Sequence, residues 1–431
     1  RSNPDEIDWS EFDKFHDFLD EAYPLIKQNT TKEKVSKASL IYRWKGKNPE
    51  LEPMALLSHQ DVVPVAEGTE NDWTHDAFSG YNDGEIIWGR GALDMKNHLI
   101  CVMEAVESLM EEGFQPERDV YLCFGHNEEI VCSKESGADE IVKVLQSRGI
   151  HLDSVLDEGS ALLRLDLKGL IHTYIAAVGV AEKGYADMKL TVHDKGGHTS
   201  AAPKHSGMAK LANMVQDIEK HQFKSHMLPF LTELFDTVGR KATYLGRVVM
   251  CNVPLLKPII KLVLKTIPES ASMVRTIQSI SMCEGSPEPN VLPQRPNITV
   301  NFRPLPGDTV DDVEKHIRKA VRYKDLEVER LYSKEATAFS STDSRAFNAI
   351  KKVEEGLHPN DVAVAPYLVM GGTDSYRYGK ICDNILRYAP FNVSVALFLT
   401  THATDERCPI SALKESVIFF REYIKEVSKK D

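Results

Sequence analysis

Acidic and histidine side chains close the apolar runs of this chain, and that placement constrains the fold more than any other feature. His59 and Asp61 follow an apolar run in LLSHQDVVPV, Asp94 lies in GRGALDMKN, and Glu128 and Glu129 stand in LCFGHNEEI. Asp157 closes SVLD, and His402 sits in TTHATDE beyond the strand-like run 395–399. A carboxylate at the end of a buried strand is costly to desolvate unless something compensates it. Imidazoles and carboxylates at five such places form the ligand set of a divalent metal site. They can share one site only if the runs lie side by side with the same end open.

The periodicities predict such a sheet. The stretch to about residue 35 reads as helix, and residues 39–44 and 54–58 read as strands. Residues 97–112 place Leu99, Val102, Met103, Val106, Leu109 and Met110 on one helical face, and Gly113 stops the helix. A strand at 120–124, a helix through ADEIVKVLQSR and a strand at 154–156 follow. This alternation predicts an α/β fold: a mostly parallel central sheet flanked by helices. Ligands bind beyond the carboxyl ends of the strands in such sheets. His59, Glu128, Glu129 and Asp157 fall there, and Asp94 lies in the loop before the 97–112 helix.

Near residue 183 the pattern changes. DMKLTVHD alternates, GGHTSAAP breaks it, and MAKLANMVQDIEKH reads as helix. A helical, proline-spaced stretch at 226–270, the strand ITVNFR and the helix DDVEKHIRKAV complete an α+β insert with its own sheet. The expected division is a discontinuous first domain, 1–183 and 323–431, and an inserted domain, 184–322. The chain is expected to re-enter the first domain with EVERLYS, a helix near 344–356 and a C-terminal helix at 411–428.

Composition bounds the partners. A length of 431 residues suits two domains at roughly 100–200 residues each. A net charge of −12 without a basic stripe argues against nucleic acid. The seven cysteines are odd in number and form no C-x-x-C pair, which points to a reducing compartment. A cytoplasmic location is the expectation. The chain begins RSNPDEIDWSEF without Met, so a removed signal peptide leaves secretion as the alternative. No uncharged apolar run approaches the ~20 residues of a membrane span, and VPLLKPIIKLVLKTIP is broken by Lys257, Lys261 and Lys265. No membrane partner is expected.

The individual residues suggest roles. Asp61, two residues beyond His59 on an extended segment, can accept the second ring N–H of a ligand histidine and fix its tautomer. Glu128 and Glu129 are adjacent carboxylates that repel, so burying both without a cation drives one towards protonation. A metal resolves this by binding one and leaving the other to handle a proton. Asp157-Glu158-Gly159 repeats the theme. Alone, Asp94 is an ordinary helix-start aspartate.

Together these segments resemble the co-catalytic dizinc peptidase and aminoacylase family, which includes glutamate carboxypeptidase and aminoacylase. They look most like its Gly-Xaa carboxypeptidase and N-fatty-acyl-amino-acid hydrolase branch. The resemblance covers residue 50 to the C-terminus through SHQDVVPV, W-x-x-x-x-FSG, WGRGALDMKN, GHNEE, VLDEG, GGHTSAAP, PNVLP with NFR, and GGTDS. It implies two Zn2+, with Co2+ or Mn2+ as substitutes. Asp94 would bridge the ions, His59 and Asp157 would complete one, and Glu129 and His402 the other. Glu128 would be the general base and Asp61 would orient His59. The insert would be a lid carrying a homodimer surface, from which His198 would stabilise the oxyanion, often in the partner's site. Asn290, Arg303, Gly371, Gly372 and Thr373 match substrate-contacting positions. The implied reaction is metal-dependent hydrolysis of an amide bond in a small peptide or N-acyl amino acid with a free carboxylate.

The sequence departs from that family's pattern at Asn127, where aspartate is usual, at Ala403, where glycine is common, and at His98, which reads as a helix-surface residue. The competing readings are a catalytically inactive relative that binds its ligand and a hydrolase running in the condensation direction. Serine or thiol catalysis fares poorly, because G-x-S-x-G, H-E-x-x-H and catalytic cysteine signatures are all missing.

Overall fold

The computed structural model describes residues 8–130, 135–167, 170–265 and 268–430. Ten strands form the central sheet. Across it run Thr30–Val35, Ser39–Trp44, Val120–Gly125, Met54–His59, Ser154–Asp157, Ile385–Arg387, Ile171–Glu182, Leu162–Leu167 and Asn392–Val393, and Val362–Val369 also pairs with Ile171–Glu182. Met54–His59 is parallel to both Val120–Gly125 and Ser154–Asp157, and Ile385–Arg387 extends the parallel set. The expected α/β architecture is therefore present, with antiparallel strands towards the edges.

The three central strands are buried along their whole length. Alternation sends their side chains into two cores. Leu56, Leu122 and Phe124 pack with helices Lys96–Glu111, Arg345–Leu357 and Ile410–Val427. Ala55, Leu57, Tyr121 and Cys123 pack with helix Gly137–Ser147. Serine caps start two of these helices: Ser136 accepts from the Asp139 amide and Ser344 from the Phe347 amide. Cys101, Cys123, Cys382 and Cys408 are buried free thiols, and Cys132 lies outside the described residues. Among the described residues no helix is long and apolar enough to cross a membrane.

Several sequence expectations are corrected. The opening stretch is helical only through Asn29; Thr30–Val35 is a strand paired with Ser39–Trp44. Its threonines and valine suit an extended edge better than a helix. The run 395–399 forms the short helix Val395–Phe398, not a strand, because Ser394 caps it through the Leu397 amide.

The inserted sheet consists of Ile277–Glu284, Asn297–Arg303, Tyr185–Thr191 and Glu327–Lys334. Met188, Leu190, Val300 and Phe302 from this sheet meet Leu211, Met214, Val313 and Ile317 from helices Gly207–Lys220 and Val310–Ala320. EVERLYS therefore belongs to the insert, where it lies antiparallel to Tyr185–Thr191, and does not return the chain to the first domain. The 226–270 stretch departs in the other direction. Helix Pro229–Lys241 buries Phe230 and Leu231 in the central core. Its Val238 packs with Ile171, Ala363 and Ala365. The small residues on that face of the sheet leave room for a helix, and the apolar side of Pro229–Lys241 fills it.

This packing predicts a contrast within one segment. Leu231→Ala should cost about 2–5 kcal/mol in chemical denaturation, whereas Leu245→Ala, at an exposed site, should be within about 0.5 kcal/mol of the parent.

Candidate active site and metal centre

Parallel pairing puts the carboxyl ends of Met54–His59, Val120–Gly125 and Ser154–Asp157 together, with His59 opposite Gly125 in the register. His59 Nε2 lies 3.1 Å from Asp94 Oδ1 and 3.4 Å from Glu158 Oε1. His402 Nε2 lies 3.0 Å from Asp94 Oδ2 and 3.1 Å from Glu129 Oε1. The two oxygens of Asp94 thus face different imidazoles, as a carboxylate between two cations would. Three overlapping groups could each hold an ion: His59, Asp94 and Glu158; Asp94, Glu129 and His402; His59, Glu128 and Glu129.

Asp157 is not in these groups. Its Oδ2 accepts from the Ser375 amide at 2.9 Å and its Oδ1 from the Glu158 amide at 2.9 Å. His59 meets Glu158, which lies one residue past the end of Ser154–Asp157, and Asp157 turns to the GGTDS segment. The structure corrects the expectation of Asp157 beside His59 by one residue.

Asp61 does more than face His59. Its two carboxylate oxygens accept the amides of Glu128 and Glu129 at 3.1 and 3.0 Å. His59 Nδ1 lies 2.9 Å from the Asp61 carbonyl and 3.5 Å from its carboxylate. One residue thus orients the imidazole and shapes the turn carrying the glutamates. The Asp94 loop is held by Glu406, which accepts the amides of Leu93 and Asp94 at 2.8 and 3.0 Å and pairs with Arg90 at 2.5 Å. The Asp94–Met95 peptide is cis, and His402 sits at φ 62°.

Burial pushes the Glu158 carboxyl up to about 8, and the Asp94 charge adds to the effect. Burial, reinforced by Glu158, Asp374 and Glu129, drives Glu128 well above the usual carboxylate range. Hydrogen bonds to Asp94 and Glu129 raise His402 to about 10. The cluster draws positive charge strongly, and its nitrogen and oxygen donors suit a divalent cation.

The cluster opens into a cavity of about 650 Å³. Leu163, Ala177, Tyr367, Phe391 and Phe398 form an apolar wall, and Lys183, Arg303, Lys334 and Arg377 supply positive charge. Arg303 stacks over the Tyr185 ring at 4.4 Å. Gly371, Gly372 and Thr373 line the cavity. His198 and Asn290 do not. They lie exposed on or beside the ribbon pairing Gly197–His198 with Val291–Leu292, and His198 Nδ1 is 2.7 Å from Ser200 Oγ. Asn127 accepts the Gly137 amide at 2.8 Å and donates to the Glu135 carbonyl at 2.6 Å, which stabilises the start of helix Gly137–Ser147. His98 is fully buried, not on a helix surface. It lines the cavity between Phe391 and Phe420, and burial lowers its imidazole to about 3.

Sequence reading missed a second buried network. Glu182 accepts from Arg387 Nε at 2.8 Å, Thr373 Oγ1 at 2.9 Å, Ser375 Oγ at 3.2 Å and Lys334 Nζ at 2.8 Å. The signal was present: Glu182 closes the apolar run VGVAE just as His59 and Asp157 close theirs.

A carboxylate–imidazole cluster at the ends of parallel strands, beside a cavity with a positive wall, defines a metal-dependent hydrolase. The sequence pattern of Peptidase family M20/M25/M40 matches residues 55–426, and the chain belongs to that peptidase family. It is therefore an enzyme, and the ligand-binding alternative is set aside. It is 34% identical over 421 residues to the probable carboxypeptidase S-like 2 of Dictyostelium discoideum, covering 97% of this chain and 80% of that protein. It is 28% identical over 419 residues to the N-fatty-acyl-amino acid synthase/hydrolase PM20D1 of Mus musculus, covering 95% and 82%. The fold matches the M20 family metallo-carboxypeptidase Sso-CP2 of Sulfolobus solfataricus at a TM-score of 0.65 and 18% identity, over 97% of this chain and 94% of that one.

The Glu182 network predicts a pH effect. Although burial opposes the charge, Arg387 and Lys334 hold its carboxyl at about 2, below the ordinary 4.5. A depressed carboxylate contributes stability that is full above the ordinary value and lost as pH falls towards about 2. Glu182→Gln should cost about 3 kcal/mol near pH 7, and its difference from the parent in urea denaturation should shrink steadily below about pH 4.5.

Proposed function

We propose that the enzyme hydrolyses an amide bond in a small peptide or N-acyl amino acid bearing a free carboxylate, using two Zn2+ for which Co2+ or Mn2+ can substitute. The observation that carries this reading is the position of Asp94 between His59 and His402, 3.1 and 3.0 Å away. One ion would be held by His59, Asp94 and Glu158, and the other by Asp94, Glu129 and His402. Bound there, the ions lower the pKa of a water and polarise the scissile carbonyl.

The remaining roles fall to side chains of the chain itself. Glu128 takes the proton of the attacking water and passes it to the leaving amine. Asp61 keeps Glu128 and Glu129 in register through their amides and holds the His59 tautomer. Arg303 and the Gly371–Gly372 backbone bind the substrate carboxylate, and Thr373 keeps that loop attached to Glu182. The apolar wall receives the acyl or side-chain portion and excludes water. The relatives' printed names, carboxypeptidase and N-fatty-acyl-amino acid synthase/hydrolase, support this substrate class. The second name also accords with a site that runs condensation when product is in excess.

His198 and Asn290 are assigned to a homodimer in which each lid serves the other chain's cavity. Their exposure and their absence from the lining of their own cavity support this. Mixing inactive Glu128→Gln with inactive His198→Ala protein should then restore part of the activity by forming hybrid dimers. Absence of any rescue while subunits exchange would remove His198 from the site.

Metal analysis separates the ligand assignments. Glu158→Ala should lose about half of the bound zinc, whereas Asp157→Asn should keep it, because Asn still accepts from the Ser375 amide. Glu128→Gln should retain zinc and lower kcat by about 10²–10⁴-fold. Undiminished turnover after complete chelation would refute the metal-dependent reading.

A further inference from the structure

Helices Tyr244–Met250 and Val253–Leu264 carry the two most exposed large apolar residues among the described residues, with others beside them. Tyr244 is 85% exposed, Leu255 80%, Leu262 66%, Leu245 63% and Ile259 62%. On the second helix, Leu255, Ile259, Leu262 and Val263 recur at helical spacing on one face, while Val253 and Ile260 are buried on the other. The outward face is thus built as deliberately as the inward one. A contiguous exposed apolar patch on a water-soluble surface marks an interaction site.

Charge identifies what fits it. Between Asp236 and Glu269 the sequence holds Arg240, Lys241, Arg247, Lys257, Lys261 and Lys265 and no acidic residue, in a chain of net charge −12. Lys257 and Lys265 are exposed, and among the described residues Lys257, Lys261 and Lys265 form no salt bridge. A second copy on this face would bring two positive segments together. An anionic surface meets both properties at once, because lysine stems extend along apolar surface while their ammonium groups remain at the charged boundary.

We propose that the helix pair docks the enzyme on an anionic phospholipid bilayer. Leu255, Ile259, Leu262 and Tyr244 enter the headgroup–acyl boundary, and the lysines pair with lipid phosphate and carboxylate. The helices lie in the plane of the interface and do not cross it. This revises the expectation from sequence that no membrane partner exists: the lysines that rule out a span are those an interfacial helix needs. Inside the chain, the segment continues to Ser272 and Arg275, whose carbonyls hold Lys183 Nζ at 2.8 and 2.9 Å, and Lys183 lines the active-site cavity. The docking face is thus joined to the catalytic cavity by a short stretch of chain and these two hydrogen bonds.

The test is sedimentation of the full chain with phosphatidylcholine vesicles, with and without phosphatidylserine. Association is expected with the phosphatidylserine vesicles alone, and it should weaken as salt rises. The triple variant Lys257→Glu/Lys261→Glu/Lys265→Glu and the triple variant Leu255→Ser/Ile259→Ser/Leu262→Ser should each weaken it by about tenfold or more. Both sets lie outside the catalytic machinery, so hydrolysis of a water-soluble substrate should be unchanged, which also shows that the variants fold. No association of the parent, or equal association of parent and variants, overturns the proposal. So does a solution mass showing that the serine variant separates a dimer whose parent ignores the vesicles, which would assign the face to a second copy.

Discussion

The site depends on one carboxylate. Asp94 offers one oxygen to His59 and the other to His402, residues that reach it from opposite ends of the chain. A carboxylate so placed must be held by something other than the groups it serves. Glu406 does this: buried and paired with Arg90, it accepts the amides of Leu93 and Asp94 and so fixes the loop from behind. A charge-assisted bond to a backbone amide orients a loop without using the side chain the chemistry needs. Asp61 acts in the same way on the Glu128–Glu129 turn. Two acids that stand behind the cluster therefore set the geometry of the acids within it.

The sheet supplies the rest of the convergence. Parallel strands present their carboxyl ends at one edge, and the turns that follow them decide which residue at each end faces the cluster. Glu158 faces it and Asp157 does not. Asp157 instead joins Ser375, and through Thr373 and Ser375 the loop reaches Glu182, Arg387 and Lys334. Glu182 and Arg387 come from the central sheet and Lys334 from the inserted one. A buried acid with two basic partners and two hydroxyl donors has its desolvation offset, whereas losing any partner leaves charge uncompensated.

The sequence made legible those features that repeat along the chain. Amphipathic periodicity located the helices ending at Glu111 and Val427, and apolar runs located the central strands. The motif order pointed to His59, Asp94, Glu128, Glu129 and His402, which the fold brings into overlapping groups. The remaining features depend on contacts distant in sequence. DEG offers two adjacent acids, and only the turn beyond the strand end brings Glu158 to His59 while Asp157 meets Ser375. EVERLYS is extended wherever it pairs, so its neighbour Tyr185–Thr191 is visible only in three dimensions. The 226–270 helices look like part of an insert because they lie inside one in sequence, yet Phe230 and Leu231 are core residues of the central domain. His98 stands among helix-forming neighbours and reads as polar surface, but helix Lys96–Glu111 is buried on that side by Phe391 and Phe420.

These placements also bear on how the enzyme distinguishes substrates. Arg303 belongs to the inserted sheet, whereas the carboxylate–imidazole cluster belongs to the central one. The span between them is a selectivity device only if the two sheets are held relative to each other. Lys334 reaches from the insert to Glu182, and Lys183, just after the last residue of Ile171–Glu182, reaches the carbonyls of Ser272 and Arg275. Both lysines also line the cavity that Arg303 and the cluster share. The ties that hold the insert are therefore part of the wall the substrate meets. A cation held at a fixed span from the reacting carbonyl favours substrates whose carboxylate lies at that same span, because only they bind without distorting either end. With Arg303 binding the substrate carboxylate as proposed, selection by length on that side would follow from the packing of two sheets, and the apolar wall formed by Leu163, Tyr367 and Phe391 would be left to discriminate on the other.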